Sequence, residues 1–234
     1  MSAAYASTLK PYKGRGMEGA VARWYAGLTR KSLDRFRTLA RRVAEQIPPR
    51  ANVLEVAPGP GYFAIELAKL GQYQITGLDI SKTFVEIARS NARNAGVRVD
   101  FRQGNALAMP FADETFDFLV CSAAFKNFSE PKRALEEMYR VLRPGGQALI
   151  IDLNRDASNE AIDQAVGEMH VGVLNEVITK LTFRFMLLKR AYTRQGFEQL
   201  VSQTKFQDID IRENLIALEV LLSKDGKGPG LIYF

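Results

Sequence analysis

Residues 52 to 152 alternate between short apolar runs and amphipathic segments, and this alternation restricts the fold more than any other feature of the chain. The segments Lys82 to Ala95 and Pro131 to Leu142 have the periodicity of helices. The apolar runs resemble buried strands and cover residues 52–57, 74–79, 97–103, 116–122 and 147–152. Strands that alternate with helices form βαβ units, so this region predicts a parallel sheet covered by helices.

The pattern changes after Asp152. Residues 158 to 190 have helical periodicity, and a further helix is predicted from Thr193 to Ser202. The strand-like runs Phe206 to Glu213 and Ile216 to Ser223 are two residues apart, which favours an antiparallel hairpin. We therefore predict an α/β fold: a Rossmann-like three-layer sandwich whose seven-stranded, mostly parallel sheet is closed by an antiparallel hairpin, with helical lid elements.

The amino-terminal region precedes this core. Residues 1 to 30 contain several glycines among aromatic side chains, so we expect irregular structure there. Leu33 to Ile47 has one apolar helical face, which two prolines terminate. We expect an amino-terminal helical cap over residues 1–48 and a core over residues 49–234, with a helical lid insert at about 154–192.

Composition excludes several classes of protein. With 47% hydrophobic and 25% charged residues, the chain is neither disordered nor fibrous. Cys121 is the single cysteine and His170 the single histidine, so an internal disulfide and a Cys/His metal site are excluded. No run approaches the roughly 20 apolar residues that span a bilayer, and no signal segment is evident, so we expect a cytoplasmic location. The net charge of +6 is compatible with RNA or protein as an alternative to a small-molecule partner. The basic residues are scattered along the chain, however, so charge alone makes nucleic acid an unlikely partner.

A turn rich in glycine and proline, within Val53 to Gly61, joins the first strand to a helix. Glycine permits a sharp turn and a close approach of backbone to ligand. Asp79 ends the next strand, eighteen residues after Gly61, where a carboxylate can accept two hydrogen bonds from a ribose diol. This arrangement predicts an adenosine-containing cofactor. Gly59, Gly61 and Ala64 also satisfy the loose dinucleotide fingerprint, so an NAD-dependent oxidoreductase is a second candidate.

Two residues near the turn favour a cofactor that has no pyrophosphate group. Glu55 lies inside the strand just before the turn, where its side-chain carboxyl group could interact with a positively charged amino group or sulfonium of a ligand. Pro60 removes a backbone donor that a phosphate site would use.

Five ordered motifs resemble those of the class I S-adenosylmethionine-dependent methyltransferases. They are Val53–Gly61 (VLEVAPGPG), Gly77–Ser81 (GLDIS), Gln103–Ala106 (QGNA), Phe116–Phe128 and Arg140–Gly146 (RVLRPGG). The resemblance implies S-adenosyl-L-methionine as cofactor and S-adenosyl-L-homocysteine as product, with no metal. The cofactor-binding residues that we expect are Glu55, Ala57, Pro58, Gly59, Gly61, Asp79, Ile80, Asn105, Ala106 and Ser122.

The sequence departs from the family pattern at two places. Ala57 stands where the family has its first glycine. After the fourth strand, members of the quinone-biosynthesis-type branch carry Leu-His-His, whereas this chain has Phe125-Lys126-Asn127. The second departure falls where the acceptor of the methyl group would lie.

The resemblance implies methyl transfer to an oxygen, nitrogen or carbon atom of a small, largely apolar acceptor. Such an in-line displacement needs alignment first, and a general base only where the nucleophile arrives protonated. The candidates for that base are His170 and Lys126, although a surface histidine and a solvent-facing lysine are the simpler interpretations. The candidates for substrate contact are Tyr12, Tyr25, Phe125, Lys126 and His170.

Apolar and aromatic side chains outside the predicted sheet suggest a lid. Tyr12, Trp24 and Tyr25 fit either a cap that stacks on substrate or a staple to the core. We expect residues 1–30 and 158–190 to close over the methyl group from opposite sides. The apolar stripe at 171–188, with its basic flank, also fits a homo-oligomer surface, a membrane-surface helix or a helix packed on the core.

Overall fold

A single seven-stranded sheet organises the protein, as a computed structural model describes it for residues 12–13, 16–167 and 187–226. The spatial order of the strands is β3-β2-β1-β4-β5-β7-β6. The strands are β1 (Asn52–Val56), β2 (Gln74–Asp79), β3 (Asp100–Gln103), β4 (Phe116–Ser122), β5 (Leu142–Leu153), β6 (Asp208–Asn214) and β7 (Ala217–Ser223).

Strands β1 to β5 pair in parallel, whereas β7 pairs antiparallel with both β5 and β6. The predicted topology is therefore confirmed, with one refinement: the hairpin ends one side of an open sheet, whose edges are β3 and β6. The strand order reverses between β1 and β4. In open α/β sheets, the crevice at the carboxyl ends of the strands beside such a reversal is the usual place for a ligand.

Helices cover both faces of the sheet and complete the predicted three layers. One hydrophobic cluster joins the sheet to side chains such as Met138 and Phe197, and the other joins it to Val43, Phe63 and Ala88. These side chains belong to helices on opposite faces. The helices of the described residues are α1 (Gly19–Thr29), α2 (Leu33–Gln46), α3 (Tyr62–Ala68), α4 (Lys82–Asn94), α5 (Pro131–Val141), α6 (Asn159–Gly167) and α7 (Arg194–Val201). Within the part of the chain that the structure describes, no helix is long and apolar enough to cross a membrane.

The helix α1 lies where the sequence predicted irregular structure, so that prediction is wrong for Gly19–Thr29. Tertiary contacts stabilise the helix. Ala22 and Ala26 are buried, and the N–H of Gly19 donates a hydrogen bond to Oγ1 of Thr83 at 3.0 Å. The carboxylate of Glu18 accepts hydrogen bonds from the first turn of α4, including the N–H of Lys82 at 2.9 Å. These contacts tie the amino-terminal segment to α4.

Two strand boundaries differ from the sequence prediction. The turn predicted at 144–146 is a bulge inside β5, because the pairing with β4 jumps from Leu142 to Gln147. Gly145 adopts φ +76° there, and its N–H bonds to the carbonyl of Lys224 beyond the end of β7. The third strand is shorter than predicted, since Val97 bonds back to Ala92 and so completes the end of α4.

The structure describes both ends of the segment 158–190, for which the sequence predicts helical structure. Helix α6 covers Asn159–Gly167, and residues 188–190 form a 3₁₀ turn. The remaining residues of that prediction, 168–186, lie outside the described residues, as does most of the apolar stripe at 171–188.

Candidate cofactor-binding cleft

A cleft of about 300 Å³ opens at the carboxyl ends of β1, β2 and β4, beside the reversal of strand order. It brings together residues from the sheet, from the amino-terminal segment and from the region just before α7. Its described walls are formed by Tyr12, Lys13, Met17, Tyr25, Thr29, Arg35, Phe36, Glu55, Ala57, Pro58, Gly59, Pro60, Asp79, Ile80, Ser81, Phe84, Ser122, Ala123, Ala124, Asn127, Leu187 and Arg190.

The turn after β1 forms one wall of the cleft through left-handed backbone conformations. The φ angles are +57° at Ala57, +55° at Gly59 and +78° at Gly61. A Cβ at Gly61 would lie 2.6 Å from Cζ of Phe101, so this position requires glycine on both conformational and steric grounds. A Cβ at Gly59 would meet no atom within 4 Å, which leaves open space on that side of the turn.

Glu55 lies at the floor of the cleft. Its side chain is buried, and Oε2 accepts a hydrogen bond from the N–H of Ala64, in the first turn of α3, at 3.2 Å. Burial raises the pKa of the Glu55 carboxyl to about 8. A neutral acid at this place would ionise when a cationic ligand binds beside it, because an adjacent positive charge favours the carboxylate.

Asp79, at the end of β2, connects the cleft to the turn. Its Oδ2 accepts from the N–H of Gly59 at 2.9 Å, and its Oδ1 accepts from the N–H of Ser81 at 2.9 Å. Burial raises the pKa of the Asp79 carboxyl to about 6, against the opposing effect of those hydrogen bonds. Each carboxylate oxygen has a second lone pair, so the side chain can also accept from two hydroxyl groups of a ligand.

A narrow recess adjoins the cleft and contains the residues expected beside an adenine. Asn105 and Ala106 lie in it together with Ile80, and Tyr12 closes one side. The side chain of Asn105 accepts from the N–H of Leu107 at 2.9 Å, which fixes the loop after β3. The recess and the cleft share Ala57, Ile80 and Tyr12, so they form one continuous candidate site.

Most of the residues that we expected to bind cofactor are brought together here. Glu55, Ala57, Pro58, Gly59, Asp79, Ile80 and Ser122 line the cleft, and Asn105 and Ala106 line the recess. Gly61 is on neither wall, because it packs against Phe101 and shapes the turn from behind.

The expected substrate residues separate into two groups. Tyr12 and Tyr25 line the cleft, and burial raises the pKa of both phenols. Phe125 does not, since it is fully buried against Phe128 and Phe197 in the core. His170 lies outside the described residues.

Lys126 is neither a solvent-facing lysine nor part of the cleft wall, which corrects both interpretations of its position. Its Nζ donates to Oδ1 of Asp152 and to the carbonyl of Ala123, each at 2.8 Å. Its backbone N–H donates to Oδ2 of the same aspartate at 2.8 Å. Both side chains are buried. The lysine thus anchors the loop that follows β4.

Trp24 does not cap the cleft, as one interpretation of the sequence proposed. Its side chain is 67% exposed on the outer face of α1. Its neighbour Tyr25 faces the cleft instead and packs edge-on against Phe84, with ring centroids 5.9 Å apart.

Sequence reasoning missed several wall residues. Three are cations on separate segments, namely Lys13, Arg35 and Arg190. Another is Ala123, which adopts φ +58° just after β4 and donates its N–H to the carbonyl of Ile151 at 2.7 Å. No local pattern marks these residues, because the fold alone brings them together. Among the described residues, no group of three or more metal-ligating side chains is present.

The parallel sheet, its glycine turn and the strand-terminal acid at the reversal of strand order define an α/β protein of the kind that binds nucleotide-like cofactors. Comparison with known proteins narrows this class. Residues 54–150 match the family described as a methyltransferase domain, in agreement with the resemblance that the motifs predicted.

The curated relatives point to the same family. The chain is 38% identical over 107 residues to the demethylmenaquinone methyltransferase of Deinococcus radiodurans. This match covers 45% of this chain and 44% of that protein. It is 37% identical over 107 residues to the ubiquinone/menaquinone biosynthesis C-methyltransferase of Haemophilus ducreyi, over 44% of this chain and 41% of that protein. The chain thus matches less than half the length of these relatives.

The solved structures support the fold. A Methanococcus maripaludis protein, assigned as an S-adenosyl-L-methionine-dependent methyltransferase, superimposes with a TM-score of 0.71 at 18% identity. The match covers 92% of this chain and 97% of that protein. The predicted fold and the predicted family resemblance are therefore confirmed.

Proposed function

We propose that this protein is a methyltransferase that uses S-adenosyl-L-methionine to methylate an oxygen, nitrogen or carbon atom of a small, largely apolar metabolite. The main observation that supports this proposal is the pair of buried acids, Glu55 and Asp79, beside the left-handed turn that follows β1. The cofactor combines a ribose diol with positively charged amino and sulfonium groups. Asp79 suits the diol, and Glu55 suits the positive charge.

The cleft and its recess offer a complementary surface for the rest of the cofactor. Ile80, Asn105 and Ala106 would hold the adenine, and Ala57, Pro58 and Gly59 would approach the methionine portion. When bound, the cofactor supplies an electrophilic methyl group on its sulfonium. S-adenosyl-L-homocysteine, the product, would occupy the same place.

The acceptor would enter between the amino-terminal segment and the region before α7. Tyr12 and Tyr25 contribute aromatic surface to the wall of the cleft, and Leu187 contributes apolar surface. These walls would exclude water and align the nucleophile, an effect that can supply roughly 7–11 kcal/mol of the barrier. Lys13 and Arg190, at the same cleft, would favour an acceptor whose nucleophilic oxygen ionises.

The names of the relatives support an acceptor related to a quinone, since both act in menaquinone or ubiquinone biosynthesis by name. The burial of Phe125 and Lys126 means that the departure from Leu-His-His replaces potential acceptor contacts with core contacts. We therefore propose an apolar acceptor that is related to a quinone in size and polarity.

The division of the chain into a cap at 1–48 and a core at 49–234, with a lid insert at about 154–192, is part of this proposal. It is supported by the wall residues that both candidate lid segments contribute, Tyr12 and Tyr25 from the first and Leu187 and Arg190 from the second. The cytoplasmic location, a homo-oligomer and a role for His170 remain predictions from the sequence.

Calorimetric titration with S-adenosyl-L-homocysteine and with NADH tests the cofactor. We expect binding of the first and none of the second; binding of NADH alone would favour the oxidoreductase. Transfer from methyl-labelled cofactor to a set of apolar phenols and quinols then tests the reaction. Labelling of RNA or protein without labelling of any small acceptor would favour the macromolecular alternative.

A further inference from the structure

The outer face of α1 presents a continuous apolar stripe. Val21, Trp24 and Leu28 are 56%, 67% and 48% exposed, and Met17, just before the helix, extends the row. The spacing of four, three and four residues places all four side chains on one helical face. Among the described residues, only Leu70 and Leu215 are comparable exposed large hydrophobic side chains, and they lie elsewhere.

The stripe cannot turn towards the core, because the opposite face of α1 is fixed there. Ala22 and Ala26 are buried, and the hydroxyl of Tyr62 donates to the carbonyl of Ala26 at 2.9 Å. Tyr25, next to Trp24, packs against Phe84 of α4. The exposure of the stripe is therefore built into the packing of the helix. Contiguous exposed apolar surface of this kind is typical of an interaction site.

Cations accompany the stripe. Arg23, Arg30 and Lys31 form no ion pair with another described residue. The one acid of the segment, Glu18, is already bound to the first turn of α4 through Lys82 and Thr83. Arg23, Arg30 and Lys31 thus give this part of the described chain a positive flank.

We propose that α1 docks on an anionic phospholipid surface. Trp24 would lie at the level of the headgroups, with Val21 and Leu28 at the boundary of the acyl chains. Arg23, Arg30 and Lys31 would contact anionic headgroups, since basic side chains next to a membrane are attracted to its negative surface potential. A two-fold dimer through the same stripe is disfavoured, because it would bring the cations of the two copies together.

Docking in this orientation has a consequence for the cleft. Tyr25 and Thr29, on the flank of the same helix, and Met17, at one end of the stripe, line the cleft. The mouth of the cleft would therefore lie close to the lipid surface, where an apolar acceptor would be dissolved. This consequence rests on the proposed function, whereas the docking itself does not.

Trp24 is the only tryptophan of the chain, so its fluorescence reports on the stripe directly. We expect a blue shift when vesicles of phosphatidylcholine and phosphatidylglycerol are added, and quenching of the emission when their acyl chains are brominated. Vesicles of phosphatidylcholine alone should give a weaker response, and added salt should reduce the response to the anionic vesicles.

Matched variants separate the stripe from general surface hydrophobicity. The double variant Val21→Ser/Leu28→Ser should lower co-sedimentation with anionic vesicles by at least about tenfold, because two apolar side chains no longer enter the interface. The control Leu70→Ser/Leu215→Ser removes the exposed side chains elsewhere and should bind as the wild type does. Circular dichroism and binding of S-adenosyl-L-homocysteine establish that each variant is folded.

Three outcomes would overturn the proposal. One is the absence of any lipid-dependent change at Trp24, and another is an equal loss of vesicle binding in the control variant. The third is a blue shift without lipid that grows with protein concentration, together with a dimer in sedimentation equilibrium. That result would assign the stripe to a second copy of the chain. Because none of these measurements uses methyl transfer, failure of the proposed function would not be confused with failure of the docking.

Discussion

The carboxylate of Asp79 accepts a hydrogen bond from the backbone N–H of Gly59 at 2.9 Å, and this bond joins the end of β2 to the turn that follows β1. Its other oxygen accepts from the N–H of Ser81. The acid that we expect to hold a ribose therefore also holds the turn against which the ligand would lie. A change at this side chain affects both the shape and the charge of the site.

We expect Asp79→Asn to weaken the binding of S-adenosyl-L-homocysteine by at least about tenfold. An amide offers one acceptor oxygen in place of two, and a charge-assisted hydrogen bond contributes about 1.5–3 kcal/mol. Calorimetric titration near neutral pH measures the loss. Asp100→Asn is the matched control, since Asp100 is an exposed aspartate on the neighbouring strand and pairs with Arg102.

The pH dependence of binding tests the same residue. The pKa of the free Asp79 carboxyl is raised to about 6, so lowering the pH below that value protonates the acid and removes the acceptor. We expect the affinity of the wild type for S-adenosyl-L-homocysteine to fall as the pH drops through about 6. The Asp79→Asn variant should lack this fall. An unchanged profile in the variant would show that another group governs binding.

Glu55 makes a separate prediction about stability without cofactor. Its pKa is about 8 in the folded protein, against an ordinary value of 4.5, so between these values the folded state retains a proton that the unfolded state has lost. The free energy of unfolding should therefore decrease as the pH rises through this range, by up to about 1.4 kcal/mol per pH unit.

Glu55→Gln should remove that part of the pH dependence. Urea denaturation of both proteins between about pH 5 and pH 8 gives the difference in the free energy of unfolding. We expect the variant to gain stability relative to the wild type as the pH rises. A constant difference across the range would mean that burial does not perturb Glu55 as its environment indicates.

The turn after β1 permits a comparison of two glycines. Gly59→Ala forces a side chain into a left-handed conformation in open space, at a cost of about 1–2 kcal/mol. Gly61→Ala carries the same conformational cost, and its Cβ would also lie 2.6 Å from Phe101, which adds about 1–3 kcal/mol. Denaturant unfolding without ligand should rank Gly61→Ala as the less stable variant. Equal losses would show that Phe101 moves away freely.

The positions of Gly59 and Asp79 explain why so much of the cofactor site was predictable. Each residue lies at the end of a strand that its own apolar run reveals, and parallel strands bring those ends to one edge of the sheet. Local sequence and a simple topological rule therefore suffice. No comparable rule predicts the residues that line the acceptor side of the cleft, because Tyr12, Arg35 and Arg190 come from segments that are distant in the sequence.

Helix α1 shows the opposite case. It packs on the core through Ala22 and Ala26, which give little apolar signal, while its largest apolar side chains face outwards. Glycines at both ends of this segment added to the impression of irregular structure. The sequence of α1 does have helical periodicity, but the face with the large apolar side chains is exposed and the alanine face is buried. Only the tertiary contacts with α4 show which face is buried.

The burial of Lys126 could not be predicted from the sequence for a related reason. Asp152 follows it by 26 residues, and nothing in the sequence marks the two as partners. They meet because β4 and β5 are adjacent and in register, with Ser122 opposite Ile151. Asp152 follows Ile151 within β5, and Lys126 lies in the 3₁₀ turn Phe125–Asn127 shortly after the end of β4.

The last prediction concerns this buried pair. Lys126→Met should lower the free energy of unfolding by about 3–5 kcal/mol, because the substitution leaves the Asp152 carboxylate buried without its cation. In the double variant Lys126→Met/Asp152→Asn no isolated charge remains, so we expect it to recover part of that loss. Denaturant unfolding of the two single variants and the double variant gives the coupling energy. Additive losses would contradict a paired role.

The same variant tests whether Lys126 is a general base. In that case Lys126→Met would abolish methyl transfer while leaving the stability and the affinity for S-adenosyl-L-homocysteine intact. The buried geometry predicts the opposite result: a loss of stability, with turnover retained by the fraction of the protein that remains folded.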